Sequence, residues 1–228
     1  MLRATALAML VPAAVIASPA MAETPRELLT AAAFQAPTKA RALALIQQAI
    51  AASDRILAAH PADHEAMLQR GVAIGYRAKL TRSRSDARTS LEIFERLAAA
   101  NPRDAEAQMV IAGWHLDAIE QLGSFLARTG LGAKSQVGEE ALARGVALGG
   151  NRAFYLGLGA MMKIRRDPTA VAQARRWAEA AADAATPTAL DAQMKRAALA
   201  ILPALRANDG QAAAALSRKL LPFGRLPA

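Results

Sequence analysis

The chain has 228 residues, 28 Lys and Arg against 19 Asp and Glu for a formal net charge of +9, and no cysteine. Disulfides and a lipid-modified N-terminal cysteine are therefore excluded, and stability must come from packing. The length suits one domain with a substantial core, and the basic balance favours acidic partners such as anionic lipid, a phosphorylated glycolipid or an acidic protein surface.

Residues 1–22 hold one charge, Arg3, then an apolar stretch over 6–17 and the ending Ser18-Pro19-Ala20-Met21-Ala22. A basic start, a short apolar core and a small-x-small ending predict a secretory signal peptide cleaved after Ala22. That implies a periplasmic or secreted protein consisting of residues 23–228. An uncleaved anchor would need roughly 20 apolar residues; this core is shorter, and Pro12 and Pro19 interrupt it. Beyond residue 22 no uninterrupted apolar stretch is expected to span a bilayer, because the best, 145–164, is broken by Gly149-Gly150-Asn151-Arg152.

The remainder reads as helix. Good helix formers dominate, and no period-two alternation suggests a strand. Thr24-Pro25-Arg26-Glu27 has the pattern of a capping box with proline at the first helical position. Leu43, Ile46, Ile50 and Leu57 form one stripe of a helix over about 38–60. Leu91, Phe94 and Ala98 do the same over about 86–100. Asp167-Pro168 and Thr186-Pro187 predict two further helix starts, and Leu190, Met194, Ala197, Ile201 and Leu205 mark a late helix that Pro203 should kink or end. Breaks fall at Gln35-Ala36-Pro37, over 81–85, at Thr129-Gly130-Leu131-Gly132, at Gly149-Gly150 and at Asn208-Asp209-Gly210. The expected fold class is all-α, with about nine helices stacked as antiparallel hairpins that bury one another's apolar stripes.

One internal repeat is visible. RILAAHPADHEA at 55–66 and RLAAANPRDAEA at 96–107 share seven of twelve residues at an offset of 41. A helix ends at alanines, proline makes the turn, and Asp63 or Asp104 is placed to cap the next helix. Over roughly 40–115 the chain resembles the tetratricopeptide-repeat (TPR) family: Phe94 and Pro102 match its aromatic and proline positions, and Gly71 its first-helix glycine. Met67, Gln108 and Arg70 depart from the pattern. The family period is about 34 residues, so the longer offset implies an extended loop near 80–85, and 147–155 suggests a third turn with Gly-Gly in place of proline.

Catalytic and metal signatures are weak. His60 and His64 have the spacing of a helical metal pair, but Pro61 separates them, and Glu65 does not complete HExxH. Gly130-Leu131-Gly132-Ala133-Lys134-Ser135 lacks phosphate-loop spacing, and Gly157-Leu158-Gly159 reads as close helix packing. Glu139-Glu140, Glu92 with Glu95, and Asp63 with Glu65 occupy polar or capping positions rather than an apolar pocket that would raise a carboxyl pKa. The expectation is a non-catalytic protein with no metal and no cofactor.

Two binding features stand out. The run RAKLTRSRSDAR over 77–88 carries Arg77, Lys79, Arg82, Arg84 and Arg88 against Asp86 alone, and is expected as a flexible basic loop that engages an anionic partner. The doublets Arg165-Arg166 and Arg175-Arg176 add to the charge. The TPR resemblance places Leu68, Val72, Tyr76, Met109, Gly113 and Asp117 on the concave face, as a channel for a peptide or partner helix. Trp114 and Trp177 are expected in the core. These features describe an exported TPR-like scaffold that binds a protein or peptide partner of acidic character, not nucleic acid. The alternative is a small-molecule or anion-binding accessory subunit of an envelope transport or lipid system. An open groove would favour the first, and a closed pocket with convergent polar groups the second.

Overall fold

The computed structural model describes residues 23–226; the predicted signal peptide lies outside them. Ten helices follow one another: α1 (Pro25–Phe34), α2 (Lys39–Ala59), α3 (His64–Thr81), α4 (Arg84–Ala100), α5 (Ala105–Leu131), α6 (Ser135–Leu148), α7 (Ala153–Arg166), α8 (Val171–Asp183), α9 (Ala189–Arg206) and α10 (Gly210–Leu220). Among the described residues there is no strand, only one isolated bridge between Arg152 and Ala185. α2 has the length and composition to cross a membrane, unlike what the sequence suggested. It packs Ala42, Leu45, Ile46, Ala49 and Ile50 into the core and exposes Lys39, Arg41, Asp54 and Arg55, as an amphipathic helix lying with one face on the core does.

The starts are written in local chemistry. Thr24 and Glu27 cap α1 reciprocally, the Glu27 carboxylate accepting from the Thr24 amide at 2.8 Å. Asp63 accepts from the Ala66 amide at 2.8 Å to cap α3, and Asp104 accepts from the Glu106 amide at 2.9 Å to cap α5. The two copies of the internal repeat thus perform one task.

Two proline-linked starts fall later than the sequence predicted. The Asp167 carboxylate accepts from the amide and hydroxyl of Thr169, closing a turn at the end of α7, and α8 begins only at Val171. Thr188, not Thr186, caps α9, because Asp191 sits three residues after it and completes a capping box. The wholly buried Asp191 also accepts from the Phe154 amide at 3.0 Å, which supplies α7 with the cap its own Arg152 lacks. Pro203 does not end α9, which runs on to Arg206. The carbonyl freed by the missing N–H belongs to Leu199, and both residues lie on the exposed face where water can satisfy it.

The run 77–88 is not a loop. α3 extends to Thr81, Arg82 adopts a left-handed conformation (φ 62°), and the Ser83 hydroxyl accepts from the Asp86 amide to start α4. Asp86 suits the positive end of α4 and pairs with Arg77 at 2.7 Å across the turn. The residues in excess of a shorter repeat are therefore spent on longer helices. A break the sequence did not reveal lies inside α5, where Gly123 (φ 76°, ψ 157°) redirects the chain.

Each helix packs on its sequence neighbours, and the odd-numbered helices also touch in series: α1 on α3, α3 on α5, α5 on α7, α7 on α9. Gly71 lets α3 close on α4, since a Cβ there would lie 2.7 Å from the Phe94 ring. α8 and α10 bury mainly alanine, at 174, 178 and 181 and at 213 and 214. After α10 the chain returns to the start of the molecule: the Phe223 amide donates to the Ala33 carbonyl at 2.9 Å, and its ring meets Tyr76 edge-on at 4.9 Å.

Gly210 opens α10 where a Cβ would fall 1.8 Å from the Pro168 carbonyl oxygen, so backbone must move to admit one. Gly210→Ala should destabilise the chain by about 2–3 kcal/mol in urea unfolding. Gly113→Ala, where a Cβ meets nothing within 4 Å, should be neutral or stabilising by up to about 1 kcal/mol. Equal effects at the two positions would contradict the packing described.

Candidate ligand cavity

The odd-numbered helices line a half-open cavity of about 720 Å³, completed by α4 and the C-terminal Leu221 and Pro222. Two helical stripes make its centre. Gln69, Val72, Tyr76 and Lys79 face it from α3, and Glu106, Met109, Gly113 and Asp117 from α5, each series stepping by three or four residues as a single helix face requires. Phe154, Leu158, Met162 and Arg165 close it from α7. The wall is mostly apolar, and Gly113 leaves open space above the α5 backbone.

Asp117 is the chemical centre. It accepts from Arg165 Nη1 at 2.6 Å and from Lys79 Nζ, so one carboxylate on α5 is shared by cations from α3 and α7. Burial alone would push this carboxyl up, but the two adjacent cations outweigh it and hold Asp117 at about 2. Lys79 also donates to the Pro222 carbonyl at 3.3 Å, fixing the C-terminal segment over the cavity. At another part of the wall Arg26 from α1 donates to Glu106 at 2.6 Å and to Glu65 at 2.7 Å. Burial opposes that guanidinium's charge, and the hydrogen bonds to the two carboxylates more than restore it. Burial also pushes the Tyr76 hydroxyl up, so it stays protonated. Around the cavity Arg26, Lys79, Arg82, Arg84 and Arg165 face only Glu106 and Asp117 as acids.

The predicted residues divide. Val72, Tyr76, Met109, Gly113 and Asp117 line the cavity, whereas Leu68 is buried in the core and its neighbour Gln69 takes the lining position. Of the basic run, Lys79 lies inside, and Arg82 and Arg84 stand exposed at the rim. Arg77 is committed to Asp86, and Arg88 reaches the Gly130 carbonyl at 3.4 Å. Arg165 joins the site, while its neighbour Arg166 turns to Ser135 at 3.0 Å, and Arg175 and Arg176 are exposed elsewhere. Trp114 is half-buried, packed against the core at the cavity wall with its indole N–H donating to the Ala87 carbonyl at 2.8 Å, and Trp177 is likewise half-buried against the core. Arg26, Glu106 and the C-terminal segment escaped the sequence reading. Among the described residues no three His, Asp or Glu side chains are grouped as metal ligands; His64 pairs with Asp104 at 2.8 Å.

Family models, curated proteins and solved structures were compared with the chain, and none matches it.

Beside the cavity wall His115 is buried, with Nδ1 accepting from the Lys134 amide at 3.2 Å. Burial, with the Lys134 charge nearby, pushes its pKa from 6.5 down to about 4. Between those values the unfolded chain binds a proton that the folded chain refuses, so stability falls as pH falls. The loss over that window should be about 2–3 kcal/mol in urea unfolding. His115→Asn should flatten the slope; an unchanged slope would assign it to other groups.

Proposed function

We propose that this protein binds one small amphiphile with an anionic group inside the cavity and performs no chemistry on it. The observation that carries this reading is the apolar cavity with two cations, Lys79 and Arg165, sharing the single carboxylate of Asp117. That excess positive charge in a mostly apolar wall favours an anionic headgroup, and the apolar faces of α5 and α7 suit a hydrocarbon body. A volume of about 720 Å³ lies within the range of pockets that enclose a single small ligand. Asp117, held at about 2, is not poised for proton transfer near neutral pH, and Glu106 is engaged by Arg26.

The series of contacts between odd-numbered helices, and Gly71 packed on Phe94, support reading the chain as a TPR-like α-solenoid of stacked antiparallel hairpins. With export directed by residues 1–22, the protein would serve as a periplasmic binding component of an envelope transport or lipid system. A scaffold that binds peptides along an open groove has less support, because the C-terminal segment crosses from α10 to α1 over that face.

Calorimetric titration with decanoate and decanol tests the reading. Decanoate should bind at least tenfold more tightly than decanol. Lys79→Met should weaken decanoate about tenfold, the worth of one charge-assisted hydrogen bond, and leave decanol unchanged. Gly113→Phe, which fills open space without touching the core, should abolish both. Failure of both probes to bind, or binding indifferent to Gly113→Phe, would remove the cavity as the site.

A further inference from the structure

The kink at Gly123 produces a feature that the cavity does not require. Beyond it the end of α5 forms a short amphipathic tip. Ala127 anchors one face in a small cluster with Ile119 and Ala133, and the Ala133 amide donates to the Ala127 carbonyl at 3.0 Å. Away from that anchor the tip presents Phe125 at 68% and Leu126 at 58% exposure. They are adjacent in sequence, and Leu199 is the only other large apolar side chain so exposed among the described residues.

The surroundings of the tip are cationic. Arg128 follows Phe125 by one helical turn, and the Arg88 guanidinium reaches the Gly130 carbonyl, which brings the start of α4 with Arg82 and Arg84 alongside. All four arginines are exposed. Residues 121–138 contain no carboxylate, and the nearest acids are occupied: Asp86 by Arg77, Glu120 by Arg218 and Glu139 by Lys163. Two apolar side chains are too few for the core of a stable protein interface, which needs about 800 Å² from each partner. A pair of apolar side chains ringed by arginines instead matches the outer layer of an anionic bilayer, with the apolar groups entering the acyl boundary and the guanidiniums among the phosphates.

We infer that the tip carrying Phe125 and Leu126, with Arg82, Arg84, Arg88 and Arg128, docks this protein on anionic membrane surfaces. Leu126, Arg82 and Arg84 also line the rim of the cavity, so docking would turn that opening toward the lipid. The inference stands on the tip and its arginines, so it holds or falls apart from the identity of the cavity's ligand.

The chain contains no cysteine, so a single introduced one carries a label at a chosen site. Full-length Phe125→Cys and, at the other end of α4, Ala99→Cys would each be labelled with nitrobenzoxadiazole. Each would then be mixed with phosphatidylglycerol/phosphatidylethanolamine vesicles or phosphatidylcholine vesicles. The label at 125 should shift to the blue on the anionic vesicles only, and high salt should reverse it, while the label at 99 stays unchanged. Binding mediated by residues 1–22 would bring the chain to vesicles without that difference between labels. Replacing Arg82, Arg84 and Arg88 together by serine should weaken the response on the order of a hundredfold. No shift at 125 where the protein cosediments with vesicles would overturn the inference, as would an equal shift on neutral vesicles. A shift that needs only higher protein concentration would assign the tip to a second copy of the chain and equally overturn it.

Discussion

Asp117 holds a negative charge on a partly buried wall, and the helices around the cavity bring cations to it. Removing either cation would leave that partly buried charge less well compensated. Its partners come from different helices, Lys79 on α3 and Arg165 on α7. The charge therefore fixes the rotation and register of three helices at once. Arg26 repeats the device among α1, α3 and α5 through Glu65 and Glu106. Apolar burial supplies most of the free energy of such a fold but is indifferent to a small slide. Ion pairs with hydrogen-bond geometry are not, so they define the shape of the space that the inner helices surround.

The outer helices show the complementary rule. Alanine at the buried positions of α8 and α10 lets backbones approach closely. The inner row instead carries Tyr76, Met109, Trp114, Phe154 and Met162, whose bulk faces the cavity. Gly113 keeps part of that space free. The cavity wall and the tight outer packing are thus built on different helices, large side chains on the inner row and small ones on α8 and α10.

What could be read from the sequence follows the range of the interactions. The caps at Thr24, Asp63 and Asp104 are local, two of them repeat at a fixed offset, and they leave a signature; Gly71 and Phe94 were marked only by their resemblance to TPR positions. The stripe on α5 through Met109, Gly113 and Asp117 was legible only through the TPR resemblance. On α3 the assignment slipped at Leu68, where one residue of phase is about 100° of helix. The arginine-serine run from 82 to 85 has loop composition, yet Ser83 and Asp86 make it a helix start. Composition misled there because capping uses the same polar residues that loops favour. Arg165 lies 48 residues from Asp117, and Pro222 lies 143 from Lys79. Nothing in the local pattern marks either partner, since their meeting depends on how far the row of helices curves.

The return of the C-terminal segment to α1 changes how the molecule holds together in time. A row of hairpins bound only to its neighbours can fray from either end, one unit after another, with a free energy that is nearly a sum over units. Here Phe223 on Ala33 and Pro222 on Lys79 tie the last residues to the first hairpins, so neither end can peel away alone. Closure also places the final contact at the greatest sequence separation, and such contacts form late because the intervening chain must be ordered first. Such a tie couples the two ends of the described chain and favours their unfolding together.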